Sequence, residues 1–152
     1  MSKRRKVLIV IGLLLLGIQF VPVPRENPPI AAAVTPPDKV RALLEGSCYD
    51  CHSNQTVWPW YSRVAPVSWL VYRDVKKGRD ELNFSEWGEY TDRRRDHKLE
   101  EIEEKVGEGE MPLKFYLPLH PDARLSEADR QTLIEWSRAE RAAMGVVPED
   151  EE

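Results

Sequence analysis

Apolar and polar positions divide the chain into one uninterrupted apolar run and four amphipathic stretches. Residues 7–24, VLIVIGLLLLGIQFVPVP, carry no charge and follow the cationic Lys3, Arg4, Arg5 and Lys6. This pattern predicts a transmembrane signal-anchor whose basic flank, residues 1–6, stays cytoplasmic. A cleaved signal peptide is the rival, but the Ala31-Ala32-Ala33 site lies well past the apolar run, beyond Arg25 and Glu26. Residues 25–36 are rich in proline and read as an extended spacer between bilayer and domain.

Helical periodicity begins after Thr35, a predicted N-cap with Pro36 in the first turn. Val40, Leu43 and Leu44 give the first amphipathic face, which Gly46 and Ser47 end. Val67, Leu70, Val71 and Val75 predict a second helix stopping near Gly78. A third is expected from Ser85. It has Trp87 and Tyr90 on one face, a solvated charge run over residues 92–98, then Leu99, Ile102 and Val106 before Gly107 and Gly109. The fourth opens on the capping-box pattern of Ser126 to Asp129 and runs through Leu133, Ile134 and Trp136 to about Ala143. No alternating stretch of strand character interrupts the series. The fold class is therefore all-α, with one domain over residues 37–144 and an acidic tail over 145–152.

Charge narrows the partners. The formal charge of −4 includes the four cationic N-terminal residues, so the remainder carries −8. An acidic globule argues against nucleic acid, which demands a basic surface. It suits the steering of a basic protein partner.

The candidate chemistry centres on Cys48-Tyr49-Asp50-Cys51-His52. C-x-x-C-H is the attachment signature of c-type haem. Two thiols one helical turn apart suit two vinyl groups on one side of a porphyrin, and the adjoining imidazole suits the iron. A redox disulfide is the first alternative, though its usual βαβ setting is missing. A zinc site from Cys48, Cys51, His97 and His120 is the second, but it leaves His52 without a role. Trp58, Trp60, Tyr61 and Trp69 are expected to wall a large flat apolar cofactor. Met111, in Gly109-Glu110-Met111-Pro112, is the expected second axial ligand, since Met/His ligation is common in cytochromes c. His120 is the runner-up, and His97, among charges, is expected to be exposed.

Taken together, residues 47–71 (SCYDCHSNQTVWPWYSRVAPVSWLV), the Phe84 to Trp87 FSEW, residues 109–126 (GEMPLKFYLPLHPDARLS) and the Ile134 to Trp136 IEW resemble the bacterial haem-binding domain family of membrane-anchored, c-type cytochrome-like proteins. The resemblance covers about residues 37–143. It implies a class I cytochrome c-like fold around one covalent haem c, with thioethers at Cys48 and Cys51, axial His52 and Met111 opposite. The expected function is single-electron transfer between redox proteins in or near the cytoplasmic membrane. The domain would face the periplasm, and no catalytic residues or small-molecule substrate are expected. A haem-based sensor in which Met111 is displaced, and a zinc-stabilised interaction module, are the alternatives.

Overall fold

The computed structural model describes residues 2–145. Among these residues all regular structure is helical. Helix α1 (Lys3–Gly17) is capped by Ser2, whose side chain accepts from the Arg5 N–H. A 3-10 turn, Ile18–Phe20, follows, and the chain is then extended to α2 (Asp38–Ser47) and the single-turn α3 (Tyr49–His52). A 3-10 turn at Trp60–Arg63 leads into α4 (Val67–Glu81). Another at Trp87–Glu89 precedes α5 (Asp92–Gly107), and a last one at Pro121–Ala123 precedes α6 (Glu127–Met144).

The predicted single helix over residues 7–24 is not found. Helix α1 ends at Gly17, and among the described residues no helix is long and apolar enough to cross a membrane. Pro22 and Pro24 explain the upper limit, because proline lacks the N–H a continuing helix needs. Every residue of α1 is exposed nonetheless.

Helices α5 and α6 form the main pair. Leu99, Ile102 and Val106 of α5 are buried, as are Leu133, Ile134 and Trp136 of α6. Arg141 bridges the rim of the pair, reaching Asp96 at 2.9 Å and Glu100 and Glu103 at 3.3 Å. Helix α2 adds Val40 and Leu44 to the same core, so the first helix of the domain joins the last. The capping box forms as expected: the Ser126 hydroxyl accepts from the Asp129 N–H, and Asp129 accepts from the Ser126 N–H. Gly145, at φ 60°, closes α6 in the left-handed conformation that suits glycine. The expected tail beyond it lies outside the described residues.

Phe84 is the centre of the core. It is 1% exposed, stacks on Tyr49 with ring centroids 5.5 Å apart, and lies 6.3 Å from the Trp87 ring. Burial of such a side chain stabilises by about 1.5–3 kcal/mol. Its N–H donates to the His52 carbonyl at 2.8 Å, so the core also positions the cysteine–histidine turn.

The proline-rich residues do not stand clear of the domain. Asn27 donates to the Thr56 carbonyl, Asn54 to that of Pro29, and Val34 N–H to that of Phe84. Ala31 and Ala32 N–H groups both donate to Ser85 O, and Gly88 N–H to Ala32 O. The stretch expected to be a spacer is a strap along the domain surface.

Candidate cofactor attachment site

The site begins where α2 ends. Cys48 leaves helical geometry at φ −123° and ψ −36°, and one new turn starts at Tyr49. The N–H groups of Cys51 and His52 both donate to the Cys48 carbonyl, at 3.1 and 2.9 Å. Both cysteines therefore sit on one tight turn, and both are free thiols rather than a disulfide. Burial pushes the Cys48 thiol up to about 12 and the Cys51 thiol up to about 11, so both are neutral near pH 7.

His52 is held by its Nδ1, which lies 2.9 Å from Gly78 O and 3.1 Å from Leu82 O. Both partners only accept, so Nδ1 carries the proton and Nε2 keeps its lone pair. Burial lowers the imidazole pKa, against the opposing effect of these two bonds. A neutral ring with a free Nε2 and a carbonyl-anchored Nδ1 has the form of a metal-ligating histidine.

Helix α4 reaches this turn through Gly78. A Cβ added there would lie 2.5 Å from the Cys51 carbonyl oxygen, so only glycine permits the approach. Gly78 was expected to stop the helix, yet α4 continues to Glu81. One turn of α4 thus packs on the motif and supplies a carbonyl to His52. Arg79 locks the same region, donating to Ser53 O, Glu26 O, Asn27 Oδ1 and Thr56 Oγ1 at 2.8–3.0 Å.

Asp50, between the cysteines, ties two loops to the motif. Its Oδ1 accepts from Val57 N–H at 2.8 Å and its Oδ2 from the Tyr116 hydroxyl at 2.7 Å. Burial, reinforced by that carboxylate, raises the Tyr116 pKa. His120 stacks on Tyr116 with ring centroids 3.8 Å apart and planes at 9°. The Tyr61 hydroxyl lies 3.2 Å from His120 Nε2, and His120 Nδ1 lies 3.2 Å from Tyr116 O. The runner-up ligand thus has partners at both ring nitrogens.

Met111 follows α5 on a turn made by Gly109, at φ 69°. Its N–H donates to Lys105 O at 3.0 Å, and its side chain is half-buried. The loop it opens contains Tyr116, so the Asp50–Tyr116 bond joins the Met111 segment to the cysteine turn. Of the four aromatics expected as cofactor walls, Trp60 and Tyr61 meet edge to face, with ring centroids 5.8 Å apart. Tyr61 meets His120, and Trp58 donates to Asn27 Oδ1 at 3.3 Å. Trp60 is 76% exposed and Trp69 is exposed as well. The buried aromatic residues are Tyr49, Phe84, Tyr90 and Trp136, with Trp87 packed against the core.

The zinc alternative is not assembled. Among the described residues no three His, Cys, Asp or Glu side chains gather to hold a metal ion. His97 lies on the exposed face of α5 beside Glu100 and Glu101, and His120 is stacked on Tyr116.

Asp50, Arg79 and Tyr116 were not singled out from the sequence, and Gly78 was read only as a helix stop. Asp50 offered a signal in its place between the cysteines. Gly78 and Arg79 offered none, because their partners are distant in the chain.

A model of one protein family, described as haem-binding domain, matches residues 13–139. No curated protein and no solved structure matches the chain.

Proposed function

Since the chain belongs to the haem-binding domain family, we propose that it is a monohaem c-type cytochrome that transfers single electrons. The observation that carries this is one turn of chain bearing two free, neutral thiols and an imidazole whose Nδ1 is anchored and whose Nε2 is not. These residues fit a covalent haem: Cys48 and Cys51 would be its two points of attachment, and His52 Nε2 would bind its iron. Bound there, haem supplies a reversible Fe(II)/Fe(III) couple.

The surrounding residues keep that donor set in place. Gly78 and Leu82 carbonyls orient His52, and the close passage of α4 leaves the turn no room to shift. Asp50 and Tyr116 hold the following loop against the motif, which favours Met111 as the second axial donor. His120, engaged by Tyr61 and Tyr116, is the poorer candidate. A thioether opposite imidazole raises the reduction potential relative to two imidazoles. With His52 and Met111 both bound to the iron, no position would remain for a substrate, which favours electron exchange with redox proteins. The exposed apolar α1, after its basic flank, favours attachment at the outer face of the cytoplasmic membrane.

Visible and near-infrared spectra of the protein matured with its haem test this reading. Pigment that resists acidified organic solvent and a methionine–iron charge-transfer band are expected. Met111→Ala should abolish the band while the pigment stays attached. Pigment lost to solvent would overturn the covalent reading, and a band that survives Met111→Ala would overturn the axial assignment. Rapid stoichiometric binding of carbon monoxide to the reduced protein would favour a sensor instead.

A further inference from the structure

The 3-10 turn that follows helix α1 is joined to the domain through Gln19. The Gln19 side chain donates to Ala65 O and accepts from Ala65 N–H, both at 3.0 Å, and also donates to Leu15 O at 2.9 Å. Arg25 then donates to Ser62 O at 3.1 Å, so the chain leaving α1 turns back over the Trp60–Arg63 turn. The end of α1 thus has a fixed place beside Ala65.

Around that place lie large apolar side chains outside the buried core. Phe20 is 81% exposed, Trp60 76%, Leu70 50%, Val64 43% and Val67 40%. Val67 and Leu70 are spaced i, i+3 on α4 and are exposed, whereas Ser68 and Val75 of the same helix are buried. Arg63, exposed in the same stretch, offers a cation to phosphate.

The length of α1 says what covers this surface. From Val7 the helix rises ~16 Å to Gly17. The turn to Phe20 adds ~6 Å. That leaves the apolar segment short of a ~30 Å hydrocarbon core by roughly 8 Å. A domain hanging on a free spacer would leave the shortfall unfilled. A domain strapped to the end of the helix brings its own apolar residues to the same depth.

We propose that Phe20, Trp60, Val64, Val67 and Leu70 form a bilayer-contact surface that completes the span α1 begins. The haem domain then rests on the membrane with its α4 end down, and Trp60 sits at headgroup depth as interfacial tryptophans do. The proposal rests on the reading of α1 as a membrane segment. It assigns Trp60 to lipid rather than to the cofactor wall.

Photo-crosslinking of the full-length, haem-loaded protein tests it, in vesicles of phosphatidylcholine and phosphatidylglycerol. Benzoylphenylalanine is placed singly at Leu13, Trp60, Leu70 or, as a control on the exposed side of α6, Ala139. Lipid-mass adducts are expected at positions 13, 60 and 70 and not at 139, with the haem spectrum unchanged in each. Gln19→Leu should cut the adduct yield at positions 60 and 70 at least threefold and leave position 13 unaffected. Lipid adducts at 13 with none at 60 and 70, or adducts there to a second copy of the chain, would overturn the contact surface alone. An absence of lipid adducts at 13 would remove the membrane reading and this proposal with it. A lost haem spectrum on replacing Trp60 would return that residue to the cofactor and refute its assignment to lipid.

Discussion

Replacing Gly78 with alanine sets two effects of opposite sign against each other. Within the last turn of α4, propensity alone predicts that alanine stabilises by up to about 1 kcal/mol. Contact predicts the reverse. The new Cβ would stand 2.5 Å from the Cys51 carbonyl oxygen, 3.0 Å from its carbon and 3.1 Å from the Cys51 Cβ. Two of these are backbone atoms of the cysteine–histidine turn, and they cannot rotate aside. Overpacking against such a wall costs about 1–3 kcal/mol or more. Displacing α4 would also stretch the 2.9 Å bond from His52 Nδ1 to Gly78 O. We expect Gly78→Ala to destabilise by a net ~1–2 kcal/mol, measured by urea unfolding of wild type and variant side by side. Gly46→Ala is the internal control. Gly46 is also helical, but nothing lies within 4 Å of an added Cβ, so a gain of up to about 1 kcal/mol is expected. If Gly78→Ala were stabilised to the same degree as Gly46→Ala, the close packing of α4 on the motif would be refuted.

Other substitutions probe the supporting bonds. Tyr116→Phe and Asp50→Asn, singly and combined, should show a coupling of about 1 kcal/mol in a double-mutant cycle. Additive losses would mean the 2.7 Å bond holds nothing together. Arg79→Lys should cost about 2 kcal/mol in unfolding free energy despite keeping the charge. Lysine cannot reproduce the planar fork that joins Ser53, Thr56 and the strap, and an unchanged midpoint would refute this. Ser126→Ala should lower stability by about 1 kcal/mol through the lost cap. Bonds to Ser126 hold the Asp129 carboxyl below its usual range. Its contribution is therefore present above the unfolded-state value near 3.8 and lost as pH falls through the lower folded value. The acid limb of the stability–pH curve should accordingly be shallower in Ser126→Ala than in wild type.

Much of the domain was legible where one local rule governed. The capping box at Ser126, the apolar face of Leu99, Ile102 and Val106, and the glycine stop after α5 all rest on neighbours in the chain. The expected helix from Ser85 failed locally. Asn83 and Ser85 are drawn into a buried network with Asn54, and the helix waits for the Thr91 cap. Gly78 misled because glycine means either an end or a close approach, and only the partner Cys51 decides between them. The aromatic stretch left the placement of Trp58 and Trp60 open, because these residues carry no periodicity. Trp58 takes its partner, Asn27, from the strap, which lies far off in sequence. At the site, Cys48, Cys51 and His52 were legible as a motif. The hold on His52 was not, because it comes from two backbone carbonyls to which any side chain is indifferent.

The strap has a practical consequence for anyone wishing to prepare the domain free of its apolar helix. A chain begun at residue 37 would uncover the Phe84 and Ser85 carbonyls and take away the Glu26 and Asn27 oxygens that Arg79 reaches. It would leave a seam of unanswered polar groups directly behind the cysteine turn. The natural place to cut is upstream of Arg25, after Phe20, where the apolar segment is discarded and residues 25–34, which lace the surface, are kept.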